Sequence, residues 1–247
     1  MEKLTEIQCQ TIIVIILAII VITSLFSGGF NLLNVLLTLP GVLVAITFHE
    51  YAHALAAYKL GDDTPKYQGR LSLNPLTHLE PIAVIMLLFT HIGWGKPVEV
   101  NPNNFTKRIS ARAGEAIVAA AGPLMNFAIA FVTTIIFYTL QVFATSFALG
   151  TQVGAIIMTI LQYTILVNVG LGVFNLIPLP PLDGSKVLMN FLSYNAKRWF
   201  EEHTHIFYII FIIIWITPIS GLIISPIIEG ITYGIDYLVG AIFSLFI

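Results

Sequence analysis

The sequence predicts an all-α membrane protein, a polytopic bundle of about five or six transmembrane helices with a short re-entrant segment. Three observations carry this expectation. The 247 residues are 57% hydrophobic and only 10% charged, and the mean hydropathy of +0.91 lies far above that of an ordinary globular chain. Two long stretches, Ile7 to Phe48 and Ala116 to Leu182, contain no Asp, Glu, Lys or Arg. The polar residues gather instead in blocks between apolar runs long enough for the ~20 residues a helix needs to cross a bilayer.

Thr11 to Phe26 is the first apolar run. Lys3 before it and Ser27-Gly28-Gly29 after it could suggest a signal peptide. The run is longer than a usual h-region, Glu2 and Glu6 dilute the preceding charge, and no small-x-small cleavage pattern is clear, so it reads as a retained transmembrane helix. Leu32 to Leu60 is longer than a span requires and must tilt or project from the bilayer. Lys59 to Glu80 turns polar, and Gly61-Asp62-Asp63, Pro65, Gly69 and Asn74-Pro75 mark an interfacial loop. Pro81 to Gly95 is uncharged but only 15 residues long, and it ends in Gly93-Trp94-Gly95. An ordinary short helix suits its composition nearly as well, but a re-entrant segment fits better, since non-helical backbone at membrane depth must be buried in protein or line a watery cavity.

Ala113 to Phe143 and Val153 to Leu176 are the next two spans, separated by a Ser-, Thr- and Gly-containing break over Ala144 to Gln152. Inside the first, Gly122-Pro123-Leu124-Met125-Asn126 combines a kink with a buried amide. Pro178, Pro180 and Pro181 then interrupt the helix, so the chain runs extended until Asp183 opens the next helical piece. His203 to Ile228 supplies another span, and Ile231 to Ile247 either crosses or lies at the interface. The chain divides into an N-terminal transmembrane helix (1–30), a membrane core (31–200) and C-terminal transmembrane or interfacial helices (201–247).

Net charge is -2 and no basic stripe carries interleaved aromatics, which sets nucleic acid aside as a partner. The single cysteine, Cys9, excludes an internal disulfide and a Cys-rich metal cluster. With the N-terminus inside and the segment before Gly95 re-entrant, all eleven Lys and Arg fall on one side of the membrane. By the positive-inside rule that side is cytoplasmic, giving a multi-pass protein of the cell membrane with its basic loops in the cytoplasm.

The chemistry is concentrated in Phe48-His49-Glu50-Tyr51-Ala52-His53. Histidines at i and i+4 on a helix share one face and can supply two ligands of a tetrahedral zinc, and the glutamate beside the first can serve as base toward water. Two structural histidines satisfied by hydrogen bonds are the plain alternative, but ionisable groups in so apolar a setting default to function. His49 lies ten residues before Lys59, so about 15 Å of helix separates it from the basic side. Zinc needs a third protein ligand, and the candidates are Asp183, Glu115, Glu80, Glu229, Asp236 and the pair His203 and His205. Asp183 is preferred because the broken backbone before it lets a carboxylate approach from the same side as the histidines.

HEYAH together with Asn175-Leu-Ile-Pro-Leu-Pro-Pro-Leu-Asp-Gly184 resembles the paired HExxH and NxxPxPxxDG motifs of the site-2 protease family of intramembrane zinc metalloproteases. Leu71-Ser-Leu-Asn-Pro75, Gly93-Trp-Gly-Lys-Pro-Val98 and Gly122-Pro-Leu-Met-Asn126 are similar to compact bacterial members lacking PDZ and CBS domains, so the resemblance covers roughly Leu43 to Leu188. It implies one Zn2+ held by His49, His53 and Asp183, with Glu50 as general base. It further implies that Asn175, Pro178 and Pro180 engage an unwound substrate, that Asn126 lines the cleft, and that the stretch near Gly93 to Val98, with Gly93 and Trp94, forms a small re-entrant β-hairpin whose edge receives extended backbone. The expected substrate is a single-span membrane protein cleaved within or near its transmembrane segment in the lipid bilayer, and a regulatory partner is left open. A membrane metal-binding or transport protein using the same histidines without proteolysis is the alternative.

Overall fold

The structure, a computed structural model, describes residues 31–80, 95–106 and 109–246. The predicted span Thr11 to Phe26 and most of the predicted re-entrant segment, including Gly93 and Trp94, lie outside the described residues. Among the described residues the regular elements are helical, and strand-type pairing is limited to an isolated antiparallel bridge between Leu79 and Gly95. The α-helices are α1 (Leu32–Lys59), α2 (Thr64–Tyr67), α3 (Ala111–Phe143), α4 (Thr145–Ala148), α5 (Gln152–Asn175), α6 (Asp183–Phe191), α7 (Tyr194–Glu202), α8 (Thr204–Ile216) and α9 (Ile219–Phe243).

The starts of the long helices follow from the sequence. Asn31 Oδ1 accepts from the backbone N–H groups of Leu33 and Asn34, Ser110 caps α3 and Thr151 caps α5, each satisfying amides that have no partner within the helix. Four stretches are long and apolar enough to cross a membrane: α1, α3, α5 and Gly221–Phe246. The last differs from the predicted span over His203 to Ile228. Thr217 is extended (φ -105, ψ 160) before Pro218, which ends α8 and starts a new helix. At 13 residues α8 is about 20 Å long, short of the ~30 Å hydrocarbon core, so α9 and not α8 has the length to cross.

Helices α1, α3 and α5 form the packed centre. A Cβ added at Gly41 would lie 2.8 Å from Thr164 Cα, so glycine lets α1 and α5 approach backbone to backbone. Ala130, Ile165, Val169 and Val173 are buried between α3 and α5, and Ile224, Ile228, Ile231 and Ile235 of α9 cover them. The outer faces carry exposed Leu36, Val132, Ile136, Leu222 and Leu238, the inverse of a water-soluble surface and suited to lipid.

The ends of the bundle differ in character. At one, the Arg112 guanidinium at the start of α3 donates to the carbonyls of Met189 and Leu192, closing the C-terminal end of α6 against α3. At the other, Tyr138 and Phe143 of α3 meet Phe243 and Phe246, with ring centroids 5.8 and 5.9 Å apart.

The loop after α1 is organised by Asp62, which is fully buried. Its carboxylate accepts from Thr64 N (3.1 Å) and Thr64 Oγ1 (2.6 Å), from Asn104 Nδ2 (2.8 Å) and from Asn101 N (2.7 Å). Burial alone would raise this carboxyl, but the hydrogen bonds from Thr64, Asn104 and Asn101 outweigh it and hold the group below its ordinary value. A depressed folded pKa contributes stability that is fully present above the unfolded value of about 3.9 and is lost as pH falls through the lower folded value. Asp62→Ala is expected to destabilise this loop by roughly 2–3 kcal/mol, seen as faster amide exchange over residues 60–70 and 99–106.

Candidate metal centre

His49 and His53 stand one turn apart on α1, both buried, with ring centroids 4.6 Å apart and planes at 87°. Asp183 is the first residue of α6, where a carboxylate is favoured by the helix dipole. Gly184 is what lets that helix start so close to the end of α5, since a Cβ there would lie 2.5 Å from the Ile177 carbonyl oxygen. The three side chains converge. His49 Nε2 and His53 Nε2 are 3.1 Å apart, and each is 3.1 Å from Asp183 Oδ2.

The far nitrogen of each ring is fixed from behind. His53 Nδ1 lies 2.7 Å from the Val118 carbonyl oxygen, which can only accept, so Nδ1 carries the proton and Nε2 offers its lone pair inward. His49 Nδ1 lies 2.7 Å from Asn126 Oδ1, with the same consequence. Two lone pairs and a carboxylate oxygen thus face one another, an arrangement satisfied by a cation between them. The edge of a tetrahedron around zinc with bonds of about 2.0–2.1 Å is about 3.3 Å, close to the observed separations, so the donor set fits the metal.

Backbone approach makes this geometry possible. A Cβ at Gly122 would lie 2.6 Å from His53 Cε1 and 2.7 Å from His49 Cε1, so α3 presents bare backbone to both imidazoles. Glu50 is buried beside His49, and Gly95 packs directly on its carboxylate, where an added Cβ would overlap Oε1. The bond from Lys96 N to the His78 carbonyl (2.8 Å) and the Leu79 bridge hold Gly95 there. Gly95→Ala is expected to lower turnover about 100-fold by displacing Glu50 while leaving metal content unchanged, as checked by parallel cleavage assays and metal analysis.

The other candidate ligands take no part in a comparable group among the described residues. His203 bonds Trp199 O through Nδ1 (2.7 Å) and stacks on the Trp199 ring, a local arrangement at the end of α7. Pro178 is exposed, Asn175 and Leu179 are half-buried, and Pro180 is buried. Asn126 is fully buried, and besides His49 it engages Ala45 O and Asn168 Oδ1 through Nδ2, both at 3.0 Å.

Comparison with known proteins agrees with this arrangement: the match to peptidase family M50 spans residues 37–217 and takes in both histidines, Glu50 and Asp183. The chain belongs to peptidase family M50. It is 33% identical over 203 residues to "Putative zinc metalloprotease YwhC" of Bacillus subtilis, covering 82% of this chain and 90% of that one. It is 28% identical to "Putative zinc metalloprotease Rip2" of Mycolicibacterium smegmatis, over 74% of this chain and 68% of the relative, and to the protein of that name from Mycobacterium tuberculosis H37Rv over 81% and 71%. No solved structure matches. As an M50 member the chain is an intramembrane zinc metalloprotease, and its cofactor is Zn2+.

Several M50 contacts seen here have weak or no sequence signals. The Val118 carbonyl has none, because any residue carries one. Gly122 stands in the stretch noted for its kink and amide, and nothing in the sequence separates Asn168 from Gln152, Gln162 and Asn175, the other amides of the same uncharged helix.

Proposed function

We propose that this protein is a site-2-type endopeptidase that hydrolyses peptide bonds within or near the transmembrane segment of single-span membrane proteins, using a metalloprotease core over 31–200. The observation that carries the reading is the convergence of His49 Nε2, His53 Nε2 and Asp183 Oδ2 at 3.1 Å beside Glu50. These three residues hold the zinc, and Glu50 is the general base. When bound, zinc supplies Lewis acidity that polarises a carbonyl and lowers the pKa of water. The Glu50 carboxylate takes the proton from the attacking water and returns it to the leaving amine. Gly95 keeps that carboxylate in place from the side opposite its own backbone.

A transmembrane substrate hides its carbonyls in helical hydrogen bonds, so it must unwind before attack. Asn175, Pro178 and Pro180 engage the unwound chain, and Gly93 and Trp94 belong to a re-entrant hairpin edge that adds it as a strand. In support, Gly95, bridged to Leu79, packs on the Glu50 carboxylate, and Pro178, five positions before Asp183, is exposed. Asn126 acts on His49 from behind the metal. The end bearing Lys59, Arg112 and Lys186 to Arg198 faces the cytoplasm, a reading supported by the Arg112 clasp that gathers α3 and α6 there.

The test is cleavage of a single-span reporter by the purified protein in detergent. Wild type is expected to cut within or near the span, and insertion of helix-breaking residues there should speed the cut. A reporter left intact by zinc-loaded wild type, or cleaved equally by a His53→Ala variant, would overturn the assignment.

A further inference from the structure

A fourth helix reaches the metal centre through two amides. Asn168 of α5 is fully buried, with relative exposure of 0%, as is Asn126. Asn168 Nδ2 donates to the Thr164 carbonyl (2.8 Å), and Asn168 Oδ1 accepts from Asn126 Nδ2 (3.0 Å). The second hydrogen of Asn126 Nδ2 goes to the Ala45 carbonyl (3.0 Å), and Asn126 Oδ1 faces His49 Nδ1 (2.7 Å).

The polarity of this chain is fixed at both ends by backbone. Thr164 O and Ala45 O can only accept, so the NH2 group of each amide must point at them. Turning Asn126 over would set its oxygen against the Ala45 carbonyl and Asn168 Oδ1. Turning Asn168 as well would leave the clash at Ala45 O and add one at Thr164 O. With the polarity fixed, Asn126 must present oxygen to His49, His49 must carry its proton on Nδ1, and its Nε2 lone pair must point at the metal position. Removing Asn168 leaves Asn126 held by Ala45 and His49 only, with one of its buried hydrogens without an acceptor, which costs free energy and loosens the amide.

We infer that Asn168 is a positioning residue of the zinc site, setting the His49 tautomer and ring orientation through Asn126. The inference rests on the proposed ligand set. Outer-shell partners of metal-bound histidine typically change metal affinity about 10- to 100-fold.

The experiment is a zinc-affinity cycle by chelator competition on purified full-length protein, with the visible spectrum of the cobalt-substituted form as second readout. Asn168→Leu is expected to weaken zinc binding roughly 10- to 100-fold and alter the cobalt spectrum. Asn168→Gln, which keeps both an acceptor for Asn126 and a donor for the Thr164 carbonyl, is expected to lose less affinity than Asn168→Leu, and Asn168→Ala, which removes the amide without adding bulk, is expected to repeat the loss if the leucine variant does not fold. In an Asn126→Leu background the Asn168→Leu change should have no further effect, since it acts through the missing amide. Wild-type affinity and spectrum in Asn168→Leu or Asn168→Ala, equal losses in Asn168→Gln and Asn168→Leu, or a full additional loss in the double variant would each overturn the inference. Failure of the ligand assignment itself would look different: wild type and His53→Ala would bind zinc alike.

Discussion

Glu50→Gln is expected to abolish reporter cleavage, by roughly 10²- to 10⁴-fold, while binding zinc within a few-fold of wild type. The amide is nearly isosteric with the carboxylate, so it still fits beneath Gly95 and beside His49. What it lacks is the basicity to take a proton from water. Glu50 is not one of the three converging donor atoms, so metal content should not follow activity. A cleavage assay with metal analysis on the same preparation separates the two quantities. Parallel loss of zinc would make Glu50 a ligand or a structural support, and full activity would remove it from the chemistry.

Gly122→Ala is expected to have the second large effect, a loss of zinc affinity of about 100-fold or more. Its new methyl would lie 2.6–2.7 Å from the Cε1 atoms of His53 and His49. Neither ring can retreat, because His53 Nδ1 is held by Val118 O and His49 Nδ1 by Asn126. The relief must come from moving α3 away from α1, which stretches those same two bonds. Overpacking of this kind costs about 1–3 kcal/mol, so the melting temperature should fall as well. Chelator competition and a thermal melt in detergent check both, and an Ala variant with wild-type affinity would mean that the histidines face elsewhere.

The long helices were legible because charged or turn-forming residues bracket them. Leu32 to Leu60, Ala113 to Phe143 and Val153 to Leu176 differ from α1, α3 and α5 by no more than two residues at either end, since lipid-compatible runs stop where charged or turn-forming residues begin. The C-terminal third was less legible, because residues on both sides of Pro218 are equally apolar and hydropathy alone cannot place a break within one composition. A proline after an extended threonine placed it.

At the site, the histidine pair and Asp183 were readable from helical spacing and from the proline-broken chain before α6. The contacts that orient them were not. Val118 acts through its carbonyl, Gly122 and Gly95 act through a missing side chain, and Gly184 lets α6 begin against the Leu176 and Ile177 carbonyls. Such features depend on which backbone comes near, and for Val118 and Gly122 that is decided by packing against α1 residues more than 60 positions away. Asn168 is one of four amide side chains on α5, and only its partner on α3, found in three dimensions, sets it apart.

The central claim is that His49, His53 and Asp183 together hold one zinc, and zinc affinity measured on purified wild type, Asp183→Ala and Glu115→Ala tests it most directly. The account predicts one tightly bound zinc in wild type and in Glu115→Ala, and its loss in Asp183→Ala. Undiminished zinc binding by Asp183→Ala, with loss in Glu115→Ala, would contradict it.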